Sequence, residues 1–327
     1  MSLIERMFVV LMVAAACFAG IVVYHSCLAP GGASRRPSQS ETMDFRESMA
    51  NAAHEFRWAA INAYRAMPMP PRIPLDGPAP PPLASGWDGY NYHDDTIDMT
   101  YYTEMDGNTR FNFAEVKIGH PSQLRVVWSP EELKTTANLL SGQNAVVGVN
   151  GDFAKFPDRA GGVIFRQGVL YRNQLLYADL LIIDKYGDFH IIKEEELAGG
   201  FNPIDSFEII NSFHFGPGFI IDGVMDARLN NGVTGAYWAT NPRPRTAIGQ
   251  IGPLHYLFVC VEGGPQTDGC GVEKMARAMY DKGCVQAYNL DGGYSTAMVI
   301  GEERVSAVWG EQRALSEAIY FASAQGN

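Results

Sequence analysis

The chain has 327 residues, 46% of them hydrophobic and 11% aromatic, which is ample for a buried core in one large domain or two small ones. Its formal charge of -11, with no runs of lysine or arginine, argues against a nucleic-acid surface. Partners are expected to be neutral, small or cationic, unless one local pocket is basic.

The N-terminus departs from that soluble picture. Met7–Tyr24, "MFVVLMVAAACFAGIVVY", is uncharged and, as a helix, just long enough to cross a bilayer. Residues 1–28 therefore read as an uncleaved membrane anchor. A cleaved signal peptide, which has a shorter apolar region, is the alternative. Arg6 favours a cytoplasmic N-terminus and an extracytoplasmic domain, although Arg35 and Arg36 lie close on the other side. Residues 29–85 read as a linker. Within it, Met43, Phe45, Met49, Ala52, Phe56, Ala59, Ala60 and Tyr64 keep helical spacing over about 41–66, predicting one amphipathic helix. The proline-rich stretch after it is extended, because proline removes amide donors and restricts its neighbours.

A folded domain is expected over 86–327. Alternation around Asp106-Gly107 predicts a hairpin. "NAVVGVN", "GGVIFRQGVLYRN", "ADLLIIDKYGDFHII", "GPGFIIDGVM", "RTAIGQI", "LHYLFVCVEGG" and "GCVQAY" read as further short strands punctuated by Gly, Asn and Asp. Helices are fewer. "SPEELKTTANLLSG" is one, with Ser129 as cap and Pro130 at its first position. "GVEKMARAMYDKG" is another, with Val272, Met275, Ala276 and Met279 on one face and Gly283 as its stop. The fold class is α+β: a strand-rich mixed sheet domain with a few packed helices, preceded by an N-terminal transmembrane helix. Of the cysteines in the domain, Cys260 reads as a packed core thiol, while Cys270 and Cys284 bracket a helix, and whether they pair stays open.

The chemistry concentrates in an echo. "VVGVNGD" and "VQAYNLDG" are both apolar runs ending in Asn-x-Asp, giving Asn150 with Asp152 and Asn289 with Asp291. Residues two apart in a strand share a face, so two such ends side by side would line a cleft with two acids and two amides. Asn and Asp also terminate strands merely by bonding their own backbone, but the pair, each set among glycines, favours a site. "NPRPRTAIG" places Arg245 after a proline at a strand start, suited to bidentate recognition of phosphate or carboxylate, or else to a structural ion pair. Glu262 is a further strand-end acid beside a double glycine, on a loop over the pocket or on a solvated rim. The histidines show no zinc-ligand pairing, and Ser295 lacks a nucleophile elbow. No cofactor is implied, although calcium at Asp152 and Asp291 is an alternative use of the same hard oxygen donors.

These motifs, in order, resemble the phosphodiester glycosidases: "VNGDFAKF", "GGVIFRQGVLYRN", "PRTAIG", "VCVEGGPQTDGCGV" and "NLDGGYSTAM". One departure is Tyr294, where the family usually has a third glycine; a phenol there would narrow the pocket or stack on a sugar. The resemblance implies cleavage of a sugar C1–O–phosphate bond, with a carbohydrate phosphodiester, as in surface polysaccharide, as the expected substrate. Asp152 and Asp291 supply the two carboxylates that glycoside hydrolysis commonly uses. Arg245 supplies a cation for the departing phosphate, and Glu262 completes the catalytic set. Asn150, Gly151, Thr246, Asn289, Gly292, Gly293, Tyr294, Ser295 and Thr296 are the expected substrate-binding residues. A polysaccharide-binding or export module without turnover, and a hydrolase of ordinary glycosides, are the competing readings.

Overall fold

The computed structural model describes residues 71–152, 162–176, 178–229, 241–307 and 310–325. The expected membrane anchor and the amphipathic helix over 41–66 lie outside the described residues. Among the described residues no helix is long and apolar enough to cross a membrane. The chain divides into two compact units, Met1–Pro70 and Pro71–Asn327, and every described residue belongs to the second.

From residue 71 the proline-rich stretch packs against the domain. Ile73 and Ala79 are buried, and the guanidinium of Arg125 donates to the carbonyls of Pro74, Leu75 and Gly77. The segment turns at this point, with the Gly77 amide donating to the Pro74 carbonyl at 3.2 Å, and proline's missing amides leave its other carbonyls available to such a donor.

Strands β1 (Trp87–Asp88), β2 (Asn91–His93), β3 (Ile97–Asp106) and β4 (Thr109–Ile118) form an antiparallel meander. Its β3–β4 turn is the one the Asp106-Gly107 pair predicts. β5 (Leu124–Trp128), helix α1 (Thr136–Leu140) and β6 (Ala145–Asn150) follow. The helix expected from Ser129 begins only at Thr136, capped by Thr135 instead. The physical reason is competition: the amides of Ser129 and Lys134 donate to the carbonyls of Ser316 and Leu315, which pins the first half of this segment beside the C-terminal strand.

β7 (Gly162–Arg166) and β8 (Val169–Gln174) make the expected hairpin. β9 (Leu180–Asp184) and β10 (Phe189–Ile192) pair next, and after short helices α2 (Glu194–Ala198) and α3 (Pro203–Ser206), β11 (Ile209–Phe213) adds to β9. β12 (Gly218–Ile221), β13 (Val224–Met225), β14 (Arg245–Gly252), β15 (His255–Val261) and β16 (Gln286–Asn289) join the meander in a nine-stranded sheet, ordered β1-β2-β3-β4-β15-β14-β16-β12-β13. Helix α4 (Val272–Asp281) lies between β15 and β16 in sequence. β17 (Met298–Ile300), β18 (Glu303–Arg304) and β19 (Glu317–Ala322) complete a five-stranded sheet, β18-β17-β6-β19-β5. The ladders between these strands are antiparallel, with one isolated parallel bridge between Thr109 and Asp268. The sheets described are thus antiparallel rather than mixed as expected from sequence, because hairpins such as β3–β4, β7–β8 and β14–β15 reverse the chain directly, without the helical crossovers that parallel pairing needs.

Period-two alternation builds the layers. On β15, Leu257, Val259 and Val261 face α4, where they pack with Val272, Met275, Ala276 and Met279. Between them, Tyr256 and Phe258 turn to the other face and meet the ring of Phe321 on the five-stranded sheet. Helix α1 covers the far side of that sheet through Leu139 and Leu140. Cys260, Cys270 and Cys284 are free thiols, all buried, and burial pushes each up to about 12. At one end of this sandwich the C-terminal ends of β6 and β16 meet the beginnings of β14 and β19, with Ala247 opposite Asn289 and Ala318 opposite Asn150.

Candidate functional site

The two Asn-x-Asp motifs converge at that end. Asn150 is fully buried and its carboxamide bonds four ways. Oδ1 accepts the Thr246 hydroxyl at 2.7 Å and the Ala297 amide at 3.1 Å. Nδ2 donates to the carbonyls of Gly151 at 3.1 Å and Asp291 at 2.7 Å. The Asp291 amide in turn donates to the Gly151 carbonyl at 3.4 Å. The backbones preceding Asp152 and carrying Asp291 are therefore joined directly. Asn150 and Thr246, expected to orient a ligand, instead spend their polar groups on this crosslink, because both side chains lie between the two sheets, where every donor and acceptor needs a protein partner.

Asp152 is buried, and its amide donates to Glu317 Oε1 at 3.0 Å. Its Oδ2 accepts the main-chain amide of His214 at 3.0 Å, while Oδ1 has no hydrogen-bond partner and lies 3.9 Å from Arg166 Nη2. Behind it, Arg166 donates through Nε (2.7 Å) and Nη2 to Glu317 Oε2, and through Nη1 to the carbonyls of Phe165 (2.7 Å) and Ser212. The guanidinium is held over the rings of Trp128 and Phe213. Gly151 is required by this packing: a Cβ there would stand 2.6 Å from Glu317 Cγ. Burial pushes the Glu317 carboxyl well above the usual range, opposed by Arg166 and reinforced by Asp152. The His214 ring takes no part in proton exchange at Asp152. Its Nδ1 accepts the Val163 amide, so Nε2 carries the proton and donates to Ala178, and burial holds the ring below the ordinary histidine range.

Asp291 is the second buried acid. Its Oδ1 accepts the Gly292 amide at 2.9 Å, and Oδ2 accepts the Ser295 hydroxyl at 2.5 Å and Arg313 Nη1 at 2.9 Å. Burial raises its pKa, with the Ser295 and Arg313 bonds pulling the other way. The turn that presents it is fixed by Gly293, whose φ of +62° suits glycine and whose amide donates to the Pro244 carbonyl at 2.8 Å. Tyr294 stands on this turn, half-exposed, its ring against Gly310 and its carbonyl accepting the Arg313 amide at 3.0 Å. Arg313 keeps 38% of its side-chain surface exposed, beside a carboxylate at 9%.

The remaining expected residues occupy the flanks. Arg245 is buried at the start of β14, with Nε donating to the Cys270 carbonyl at 2.5 Å and Nη2 to the Asn241 carbonyl at 3.3 Å. Strand alternation sends it to the α4 side, away from Thr246, and burial lowers its pKa. Asn289 donates through Nδ2 to the Gly216 carbonyl at 2.8 Å. Glu262, one residue past the end of β15, is neither over a pocket nor on a solvated rim: it is a buried acid accepting Asn112 Nδ2 at 3.0 Å and the Ala307 amide at 3.1 Å, 3.8 Å from Arg110.

The buried side-chain atoms without a hydrogen-bond partner, among the described residues, gather here. Asp152 Oδ1, Asn289 Oδ1 and Thr296 Oγ1 are three of them. The others sit on Trp128, which covers Arg166, on Arg304, which bonds the Thr296 carbonyl, and on Ser316, next to Glu317. Such orphans are rare in folded proteins and call for a ligand or water. Calcium fits these donors poorly. Arg313 and Arg166 already lie against Asp291 and Asp152, and among the described residues no three His, Cys, Asp or Glu side chains stand together as a metal site.

Residues 143–322 match the phosphodiester glycosidase family. The chain belongs to that family. A similar solved structure is the catalytic domain of zebrafish N-acetylglucosamine-1-phosphodiester alpha-N-acetylglucosaminidase, auto-inhibited by its pro-peptide. It has a TM-score of 0.55 and 15% identity, covering 75% of this chain and 87% of that one. A hypothetical protein from Synechocystis is similar with a TM-score of 0.54 and 14% identity, over 69% of this chain and 62% of that one. At these identities both likenesses are of the fold. No curated protein sequence matches.

In this member of the family, sequence reasoning missed Arg166, His214, Arg313 and Glu317. Arg166 ends the apolar run of "GGVIFRQG" and Glu317 opens that of "LSEAIYF", and a charge abutting an apolar strand is the weak signal that could have marked a buried pair. His214 and Arg313 carry no comparable local mark.

Proposed function

We propose that the protein hydrolyses the sugar C1–O–phosphate bond of glycosyl phosphodiesters. The observation that carries this reading is the joining of the Asp152 and Asp291 backbones through Asn150 and Gly151, with a guanidinium against each carboxylate. Two carboxylates at one cleft suit an oxocarbenium-like transition state. The cations suit a leaving group that departs as an anion.

In this reading C1 sits against the unpartnered Oδ1 of Asp152. The C1–O bond breaks with its electron pair going to the bridging oxygen, positive charge builds on the ring and is stabilised by Asp152, and water adds to C1, giving up one proton to a carboxylate. A phosphomonoester leaves as a stable anion, so the demand is for a cation more than for a strong acid. Arg313, the more exposed guanidinium, serves that need better than Arg245, whose Nε is turned to the Cys270 carbonyl. Asp291 holds Arg313 and Ser295 in place. Tyr294 offers a half-exposed ring beside Asp291 for stacking on a sugar, which supports a carbohydrate ligand. Asn289 Oδ1 and Thr296 Oγ1, buried and without a hydrogen-bond partner, are the acceptors assigned to sugar hydroxyls. The apolar segment Met7–Tyr24 supports membrane attachment with the domain on the extracytoplasmic side, where surface polysaccharide is the substrate class.

The test is to incubate the full chain in detergent with sugar-1-phosphodiesters of several sugars and with aryl glycosides, following free sugar. Release from phosphodiesters that disappears in Asp291→Asn supports the reading. Glycan binding that needs Asp291, without release from any substrate, replaces it with a non-catalytic binding module.

A further inference from the structure

Arg166 and Glu317 have side chains only 1% and 0% exposed. Burying two opposite charges is costly enough that such a pair is weak evidence for stability, and a hydrophobic pair of similar volume would serve packing as well. Their placement behind one orphaned carboxylate points to another role.

We infer that Arg166 and Glu317 are positioning residues that fix the Asp152 carboxylate for its work at the sugar carbon, and this rests on the hydrolysis proposed above. Glu317 Oε1 accepts the Asp152 amide, fixing the main chain at the end of β6. Its other oxygen accepts Arg166 through two nitrogens, and Arg166 is itself held by two carbonyls and two aromatic rings, so Glu317 has one orientation available. Gly151 lacks the Cβ that would push this carboxyl away. The His214 amide takes Oδ2 of Asp152, which leaves Oδ1 as the oxygen of that carboxylate without a hydrogen-bond partner. Among the described residues, the titratable groups facing Asp152 are Arg166 from β7 and Glu317 from β19, while the His214 ring is turned to main-chain atoms. Arg166 Nη2, 3.9 Å from Oδ1, is near enough to set the local charge and too far to occupy that oxygen.

The experiment compares the full chain with Glu317→Gln, which is close to isosteric, and Arg166→Lys, which keeps the charge but not the fork of donors. Two readouts are used. The first is the side-chain carboxyl resonance of Asp152 in protein labelled with 13C-aspartate, assigned by its disappearance in Asp152→Asn; it needs no turnover. The second is kcat and KM on the sugar-1-phosphodiester that the wild type hydrolyses. The expected result in folded variants is a displaced Asp152 resonance, a kcat lower by about 10–100-fold and a KM within about twofold. An unmoved resonance in a folded Glu317→Gln or Arg166→Lys overturns the inference, as does a kcat loss that only tracks the fraction of protein folded. If the wild type releases no sugar from any diester, hydrolysis is wrong, and the resonance alone still decides whether these residues position Asp152.

Discussion

The side-chain amide of Asn150 donates to the main-chain carbonyl of Asp291 at 2.7 Å, so a residue at the end of β6 carries the loop that follows β16. The same side chain also accepts from β14, through Thr246, and from Ala297 just before β17. One buried carboxamide thus links both sheets to both acidic loops.

Asn150→Ala should destabilise the domain by about 2–4 kcal/mol, because it leaves buried partners of four hydrogen bonds unpaired. Urea unfolding of the full chain measures this. Sugar release should fall further than the folded fraction does, since the two acids lose their common tie; a fall that merely follows the folded fraction would show that Asn150 is structural alone.

Gly151→Ala should cost about 1–3 kcal/mol, since its Cβ would stand 2.6 Å from Glu317 Cγ and Oε1 in a fully buried setting. A thermal midpoint equal to wild type would mean that the Glu317 side chain can step aside, against the tight packing under Asp152.

Arg313→Gln should reduce kcat/KM on a phosphodiester by about 10²–10³-fold, the scale for removing one transition-state electrostatic partner, and much less on an aryl glycoside. Arg245→Lys should affect the two substrates alike, because Arg245 Nε bonds the Cys270 carbonyl on the α4 side, whereas Arg313 is the guanidinium bonded to Asp291. Equal losses on both substrates in Arg313→Gln would remove it as the phosphate partner.

Glu317 gives a pH dependence with a definite sign. Its folded pKa is raised, so the stability it contributes is fully present below the ordinary glutamate range and is lost as pH rises through the folded value. Glu317→Gln cannot ionise and escapes that loss. The urea midpoint of the variant minus that of wild type should therefore grow between pH 5 and pH 8. Taking the difference cancels His120 and His214, whose lowered pKa values act on both proteins equally and favour higher pH. A difference that stays flat or shrinks would mean that Glu317 is ionised throughout, matched by Arg166.

The amino-acid sequence by itself determined the local pieces. The β3–β4 turn, the β7–β8 hairpin, the face of α4 and the ends of β6 and β16 all follow from patterns within about a dozen residues: a turn glycine, alternation, or apolar spacing near 3.6. The family blocks follow too, because they are contiguous. What tertiary structure alone decided is which side of a strand faces a ligand and which residues arrive from elsewhere. Asn150 and Thr246 looked like ligand contacts and became a crosslink, since the apposition of two sheets buried them. Arg245 looked like a clamp and turned to the α4 side, since strand parity placed Thr246 on the opposite face. Glu317, Arg166 and Arg313 became neighbours of the two aspartates only through pairings of β19 with β6 and contacts across long sequence separations. No local pattern encodes such contacts, because their partner is chosen by which strand lies next in the sheet.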